Sequence, residues 1–302
     1  MVAYRFCRPD DIPLLVRAVN ECGGPPAGPE PVEAGIPPPL TEDGFRRWMK
    51  HLDVWPSNSM LALDGDGTPL AVSIGTKRPD EVLVFRVAVR PDQRRRGHGR
   101  HLVTSLSQKL AVLGPERLVA EVPADDPAAV AFAEALGWTW EEELVDRLRP
   151  APGGDAAQPV PDELVVPVTV GELEAAGVLA ASPRAAWQRS LPALRQRADQ
   201  LVGIALAHPD GIEAHVLVEP FATPGGKSPD ASPLDVLAAG CRDESRAELL
   251  LGLLFRWLSH ASRRPLCIPR LAPGELPSAA LAAAGFAPAD RWVRYAARAK
   301  PL

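Results

Sequence analysis

The apolar positions of the first half of the chain switch between extended and helical spacing. A strand is predicted at 2–7, followed by a helix that Pro9 and Asp10 open. Thr41 predicts the cap of a second helix. Two apolar segments flank DGDG at 64–67 and predict a hairpin, since glycine supplies the positive φ of a tight turn. The other predicted elements are a nearly continuous apolar strand at 81–89, a helix with Leu102, Leu106, Leu110 and Leu113 on one face, a strand at 117–122, a helix at 125–138 and a strand at 143–149.

The second half repeats the tail of this order: an apolar strand, a long helix, a strand, a short helix and a final strand. Superposing the two copies puts Asp235 on Glu81 and Leu249 on Leu102. The change in offset leaves about seven residues missing from the second copy, at RRRGHGR, 94–100. The halves are therefore predicted to be duplicates of which only the first keeps this loop.

A segment rich in proline, glycine and alanine lies at the midpoint of the chain, between the two copies. It lacks an apolar period, which is typical of a linker. The predicted organisation is an N-terminal domain at 1–149, a linker at 150–162 and a C-terminal domain at 163–302, the degenerate copy.

Composition excludes several classes of function. The 302 residues carry a formal charge of -5, which argues against a general nucleic-acid binder. The longest apolar run, LLLGLLF at 249–255, is far shorter than the roughly 20 residues of a membrane span. The start of the chain, MVAYRFCRPDD, carries acidic residues where a secretory signal would have a long apolar core, so a cytoplasmic protein is expected. The four scattered cysteines are expected to be reduced thiols that pack in the interior.

Five arginines surround two glycines between the strand at 81–89 and the helix that follows it: Arg90, Arg94, Arg95, Arg96 and Arg100, with Gly97 and Gly99. Amides at a helix N-terminus, close backbone approach at glycine and several guanidinium groups together predict a site for a polyanion such as a diphosphate. The loop lacks the third glycine of G-x-G-x-x-G and the lysine of a nucleotide-triphosphate loop. The loop fits the pattern R-x-x-G-x-G after a V-x-V strand. The competing interpretation is a solvated basic turn or a surface patch that binds RNA.

This loop, together with AFAEALGW at 131–138 about 35 residues later, resembles the two signatures of the GNAT superfamily of N-acetyltransferases. The second signature is a helix that ends in glycine followed by an aromatic residue, with a strand between the two motifs. The resemblance implies an α/β (α+β) fold class: two GNAT-like domains, each a mixed, mostly antiparallel twisted sheet with helices on both faces.

The resemblance also implies transfer of an acetyl group from acetyl-CoA, the cosubstrate, to an amine of a small molecule or protein by direct attack. The pantetheine arm would pair with Val87, Ala88 and Val89, with the amide of Val87 or Val89 stabilising the oxyanion. The remaining coenzyme contacts implied are the loop residues Arg94, Arg95, Arg96, Gly97, His98, Gly99 and Arg100, together with Asp126 and Phe132.

The chain departs from the family at 133, where the tyrosine that commonly protonates the departing thiolate is replaced by Ala133. A thiol with a pKa near 8.5 leaves without an acid, so activity is retained in this prediction. For the general base the sequence offers two carboxylates, Glu81 before the central strand and Glu121 at the end of the next one.

Two further expectations concern residues outside the coenzyme motif. His98 and His101 lack a third ligand nearby, so no metal site is predicted and both are taken as loop or surface histidines. By resemblance the acceptor contacts fall at 21–55, which contain Trp48 and Trp55; a plain surface loop is the alternative. A homodimer is compatible with the sequence and not required by it.

Two rival functions remain open. The first is a non-catalytic CoA-binding or regulatory module, which Ala133 and the lack of a clear base favour. The second is an acyltransferase with a longer acyl group or an oxygen acceptor. Loss of the loop from the second half argues against a second coenzyme site.

Overall fold

A computed structural model describes residues 1–23, 39–152, 165–180, 182, 184–219 and 233–301. They form two compact units. The first contains 1–23, 39–142 and 292–301, and the second contains the described residues between 143 and 291.

The strands are β1 (Ala3–Phe6), β2 (Met60–Leu63), β3 (Pro69–Gly75), β4 (Glu81–Val89), β5 (Arg117–Pro123), β6 (Thr139–Arg149), β7 (Val165–Val168), β8 (Val202–His208), β9 (Gly211–Glu219), β10 (Leu234–Cys241), β11 (Leu266–Leu271) and β12 (Ala287–Arg298). The helices are α1 (Ile12–Gly23), α2 (Glu42–Leu52), α3 (His98–Leu113), α4 (Pro127–Ala135), α5 (Val170–Ala175), α6 (Leu191–Gln196), α7 (Ala247–Ser262) and α8 (Ser278–Ala283). Among the described residues, none of these helices has both the length and the apolar character to span a bilayer.

The elements predicted for the first half are confirmed. Thr41 caps α2, its hydroxyl accepting a hydrogen bond from the Gly44 amide at 3.1 Å. The DGDG hairpin joins β2 to β3, with Gly67 at a φ of 78°. Positive φ is easily adopted only by glycine, which explains why the turn falls there.

The sheet of the first unit has the order β1-β2-β3-β4-β5-β12, and only the β4/β5 pair is parallel. Every residue of β3 is buried, which requires cover on both faces. Side chains of α3 pack with Val82 and Val84 on one face, and Trp48 of α2 contacts Phe85 on the other. The predicted fold class, a mixed and mostly antiparallel sheet flanked by helices, is confirmed.

The second unit repeats this order as β7-β8-β9-β10-β11, followed by the β6 residues from Val145, with β10/β11 as its parallel pair. β4 and β10 each carry one extra residue relative to the antiparallel neighbour, Phe85 in β4 and Leu237 in β10, and Asp235 precedes Leu237 by two positions as Leu83 precedes Phe85. Asp235 therefore corresponds to Leu83, and its predicted match to Glu81 is wrong by two positions.

The loop that follows the first strand of the parallel pair is shorter in the second unit than in the first. The difference in length is smaller than the sequence predicted. Arg90–Gly97 joins β4 to α3, and only Arg242–Arg246 joins β10 to α7. The expected gap of about seven residues is too large, because an extended strand gives no apolar period that fixes an alignment to the residue.

The last strand of each half belongs to the compact unit formed mainly by the other half. Residues 143–149 are part of the second unit, where Leu148 pairs with Cys267, and 292–298 are part of the first, where Trp292 pairs with Pro123. The compact units thus do not follow the boundaries predicted at 149 and 163. Most of the predicted linker, 153–162, lies outside the described residues, and the linker itself stays a prediction.

Candidate active site

The two parallel strands at the centre of the first unit separate part of the way along their length. Their pairing ends at Leu83 opposite Val119, although β4 runs on to Val89 and β5 to Pro123. The outer neighbours β3 and β12 stay paired to these strand ends. The inner edges of 84–89 and 120–123 therefore border an opening, and backbone groups on those edges are available to an extended ligand.

A β-bulge decides which amides of β4 point into this opening. Gly75 lies opposite Val84 and the preceding residue Ile74 opposite Arg86, so Phe85 is an extra residue in β4. Before the bulge Leu83 is bonded towards β3, its carbonyl accepting from the Thr76 amide at 3.0 Å.

After the bulge the parity of the strand is reversed. The Arg90 amide donates to the Leu70 carbonyl of β3 at 2.9 Å. Successive N–H groups of a strand point to opposite edges, so the amide of Ala88 also points to β3. The amides of Val87 and Val89, the two that the sequence analysis selected, point to the opening.

The opening leads to the loop at the start of α3. Arg95 and Gly97 have positive φ values of 65° and 85°, and Gly97 is the N-cap residue without a side chain to bond the first helical amides. These amides form the positive end of the helix dipole. The local fold therefore leaves free the backbone donors that an anion needs.

The loop arginines fall into two groups. Arg90 is paired with Asp92 at 2.7 Å, and Arg94 donates through Nε to the Val89 carbonyl at 3.2 Å, so both hold the loop itself. Arg95, Arg96 and Arg100 are exposed, and no ion pair joins them to any part of the chain that the structure describes. These three guanidinium groups are free to meet an anion.

His98 differs from the expectation of a loop or surface histidine. Its side chain is buried, and its Nδ1 lies 2.7 Å from the hydroxyl of Tyr4. Burial lowers the pKa of His98, and the positive charges of Arg96 and His101 add to the effect. His98 can therefore offer a ligand its backbone amide rather than its ring. The described residues include no group of three metal-binding side chains.

Helix α4 forms a wall beside the loop. Asp126 is its N-cap, and one carboxylate oxygen accepts hydrogen bonds from the amides of Ala128 and Ala129, both at 3.0 Å. A Cβ on Gly99 would lie 3.4 Å from the ring of Phe132 and 3.5 Å from Val87. Glycine at 99 thus brings the first turn of α3 against β4 and α4.

The structure offers no tyrosine in place of the missing one at 133. Ala133 is buried in a cluster with Val293 and Tyr295. The hydroxyl of Tyr295 lies 3.4 Å from Glu134, an exposed residue of α4. The other tyrosine, Tyr4, is bonded to His98.

The two candidate bases occupy different ends of the β4/β5 pair. Glu81 lies where the strands are paired, about 20 Å along β4 from Val87, and its carboxylate is 3.0 Å from Arg117. Arg117 also makes a bidentate pair with Glu141 at 2.7 and 2.8 Å. Glu81 is therefore part of an ion-pair network remote from the opening.

Glu121 lies on β5 just beyond the last paired residue, Val119. Its carboxylate is 2.9 Å from Arg294, whose guanidinium also reaches Glu142 at 2.8 Å. Sequence reasoning missed Arg294, since it lies 173 positions away from Glu121. One feature of the sequence could have identified it: Arg294 is a charged residue in the middle of the otherwise apolar stretch WVRYAA, at 292–297.

The described part of the predicted acceptor region lies on the Glu121 face of the sheet. The ring of Trp48 meets Phe85, the bulge residue, edge to face at a centroid distance of 5.1 Å. The buried indole N–H of Trp48 has no hydrogen-bond partner among the described residues. The segment 24–38 lies outside the described residues, so this expectation stays a prediction.

The corresponding place in the second unit has different chemistry. The loop before α7 carries Asp243 and Glu244 between Arg242 and Arg246, and Arg246 is paired with Glu213 at 2.7 Å. Arg189 donates to the carbonyl of Leu237, the bulge residue of β10, and pairs with Glu275 at 2.6 Å in a buried setting. Negative charge at the helix start and an ion pair at the bulge both disfavour a diphosphate-bearing ligand.

Comparisons with known proteins find similarity to acetyltransferases. Residues 31–138 match the sequence model of the acetyltransferase (GNAT) family. A ribosomal protein bS18-alanine N-acetyltransferase from Salmonella typhimurium is 40% identical over 78 residues, 26% of this chain and 53% of that protein. An L-2,4-diaminobutyric acid acetyltransferase from Nocardia farcinica is 34% identical over 85 residues, 27% of this chain and 44% of that protein. The chain thus spans about half the length of the curated relatives it matches.

A solved structure matches over both units. It is a tandem GNAT protein from the clavulanic acid biosynthesis pathway, 18% identical, with a TM-score of 0.64 and coverage of 100% of each chain. At this identity the likeness concerns the fold. The sequence similarity to the acetyltransferase (GNAT) family therefore concerns residues 31–138, about a third of the chain.

Proposed function

We propose that the first unit transfers an acetyl group from acetyl-CoA to an amine of a small molecule or a protein. The observation that carries the proposal is the continuous site made by the β4/β5 opening and the arginine and glycine loop at the start of α3. One end offers strand amides to an extended arm, and the other offers helix amides and guanidinium groups to a diphosphate.

Each part of the site has an assigned role in this proposal. The edge Val87–Val89 pairs with the pantetheine arm, and the Val87 amide donates to the thioester oxygen, where negative charge grows during attack. The amides from Arg94 to Arg100 and the side chains of Arg95, Arg96 and Arg100 bind the phosphates. Phe132 and the second carboxylate oxygen of Asp126 line the wall formed by α4.

Glu121 is the better candidate for the base because of its location. Both carboxylates are paired with an arginine, but Glu121 borders the opening, whereas Glu81 is remote from it. A carboxylate there accepts the proton of an acceptor ammonium through water, which leaves the neutral amine that attacks. The amine nitrogen bonds to the thioester carbon and the C–S bond breaks, and the proton that the nitrogen then loses passes through water to the departing thiolate; a thiol of pKa near 8.5 is an adequate leaving group.

The substrates of the relatives support one class of acceptor. The names of the Salmonella and Nocardia proteins give a ribosomal-protein alanine and 2,4-diaminobutyric acid as their substrates. Both substrates present a primary amine. A primary amine is therefore the acceptor we propose for this chain, and a cytoplasmic location stays a prediction from composition.

A second candidate is a CoA-binding module without turnover. Two observations favour it: Ala133 removes the usual acid, and the hydroxyls of Tyr4 and Tyr295 are bonded elsewhere. Binding measurements alone do not separate the two candidates, whereas thiol release in the presence of amines does.

The test is calorimetric titration of acetyl-CoA and desulfo-CoA into the full chain, followed by thiol release with an alanine-terminated peptide and 2,4-diaminobutyrate. We expect one site per chain and amine-dependent release. Gly97→Glu should abolish binding, because it places a carboxylate among the phosphate-binding amides. No binding by the wild type refutes the proposal, and binding without release on any amine establishes the CoA-binding module.

Gly67→Glu is the matched control. Gly67 also has positive φ and open space around a Cβ, but it lies in the β2/β3 turn. The two variants thus carry the same backbone strain, and only the charge in the loop distinguishes them. Equal loss of binding in both would attribute the effect to folding.

A further inference from the structure

Arg294 links the last strand of the chain to the proposed site of the first unit. On β12 it lies directly opposite Glu121 of β5. Its side chain is 6% exposed, and that of Glu121 is 2% exposed. The two guanidinium nitrogens Nη1 and Nη2 are divided between two carboxylates, with Glu142 at 2.8 Å and Glu121 at 2.9 Å.

The alternation of β5 places Glu121 on the acceptor side of the sheet. Leu118 packs in the cluster that contains α3, so Val119 and Glu121 point to the opposite face. On that face Phe85 contacts Trp48. Glu121 therefore lies where the strands part and on the side from which an acceptor would approach.

The charges around Arg294 show what its guanidinium does for the neighbouring carboxylates. Burial alone would lower the pKa of Arg294, but the neighbouring charges of Glu121 and Glu142 raise it above its ordinary value. Without the guanidinium, two nearby buried carboxylates would repel each other. The planar guanidinium group also fixes the orientation of the carboxylates that it binds. A lysine ammonium is a point charge and does not fix this orientation.

We propose that Arg294 is a positioning residue that holds Glu121 ionised and directs one of its oxygens to the β4/β5 opening. This inference rests on the proposed function. It makes the C-terminal strand, encoded by the second half of the chain, part of the acetyl-transfer site of the first unit.

The test compares Arg294→Lys with Arg298→Met. Arg298 lies on the same strand in an exposed pair with Glu116 at 2.7 Å. We expect Arg294→Lys to lower kcat about tenfold or more, with the KM for acetyl-CoA and the desulfo-CoA affinity within about twofold, since no phosphate or pantetheine contact changes. Arg298→Met should match the wild type. An unchanged kcat in Arg294→Lys overturns the inference.

A double-mutant cycle separates positioning from a purely structural role. Because Arg294 acts through Glu121, adding Arg294→Lys to Glu121→Gln should lower kcat by less than about twofold more. Independent, multiplying losses overturn the inference. If the wild type turns over no amine, the proposed function fails and the inference fails with it; amine turnover with an additive cycle removes the inference alone.

Urea unfolding of each variant guards against a trivial loss of fold. Arg294→Lys keeps the buried positive charge and should remain folded at assay temperature. Loss of desulfo-CoA binding in this variant would mean that Arg294 supports the domain as a whole, and that result also overturns the positioning role.

Discussion

The hydroxyl of Tyr4 lies 2.7 Å from Nδ1 of His98, which joins the first strand of the chain to the first residue of α3. The ring of Tyr4 also stacks near His101, with centroids 3.9 Å apart. This contact anchors the helix start whose amides form the proposed phosphate site.

We expect Tyr4→Phe to weaken that anchor. Loss of one partly buried hydrogen bond should lower the free energy of unfolding by about 1 kcal/mol, and a looser helix start should weaken desulfo-CoA binding a few-fold. Urea unfolding and calorimetry measure the two effects. Tyr295→Phe is the control, since its hydroxyl donates a long hydrogen bond of 3.4 Å to the exposed Glu134. Equal binding losses in both variants would contradict the prediction.

Gly75→Ala should disrupt the bulge region. A Cβ at this position would lie 2.3 Å from the Asn58 carbonyl oxygen, an atom of the backbone. Gly75 also lies opposite Val84, next to the bulge residue. We expect a loss of about 2 kcal/mol or more in unfolding free energy, typical of overpacking.

Gly65→Ala provides the comparison for this variant, because nothing lies within 4 Å of a Cβ there. It should unfold within about 0.5 kcal/mol of the wild type. A stable Gly75→Ala protein would mean that the β3 backbone shifts freely, against the predicted rigidity of the bulge.

Arg78 and Asp53 form a buried pair with an Nε to Oδ2 distance of 2.6 Å and side-chain exposures of 5% and 10%. Arg78→Met leaves a buried carboxylate without its partner, and we expect a loss of about 3 kcal/mol in urea unfolding. The exposed Arg17–Glu21 pair offers the contrast. Arg17→Met should cost less than about 1 kcal/mol, and similar losses in the two variants would refute the reasoning.

His215 should make stability depend on pH. Burial lowers its pKa from 6.5 to about 4, so the unfolded chain takes up a proton first as the pH falls. The contribution of His215 to the free energy of unfolding is therefore fully present above about pH 6.5. It is lost as the pH falls towards 4, by up to about 3 kcal/mol. Denaturant unfolding across this range measures the slope.

His215→Phe should reduce that slope and leave the part due to His98. The exposed His260 is the control, and His260→Gln should keep the slope of the wild type. A slope unchanged by His215→Phe would show that other groups govern the acid side of the stability curve.

The candidate site divides into a local part that the sequence predicted and a distant part that it did not. Gly97, Gly99 and the arginines are close together in sequence. A glycine-rich loop between a strand and a helix N-terminus presents backbone amides to an anion, so the local pattern is enough to predict this part of the site. The burial of His98 could not be predicted, because its partner Tyr4 is 94 positions away. The same holds for Arg294 and Glu121.

By itself the sequence determined the order of strands and helices, the repeated plan of the two halves and the loop proposed to bind a polyanion, since apolar spacing, caps and glycines act over a few residues. Tertiary structure decided the rest. The extra residue Phe85 turns the amides of Val87 and Val89 to the opening, and residues 292–298 enter the first unit's sheet, where Arg294 meets Glu121. Strand register and partner choice depend on contacts between distant segments, which no local pattern encodes.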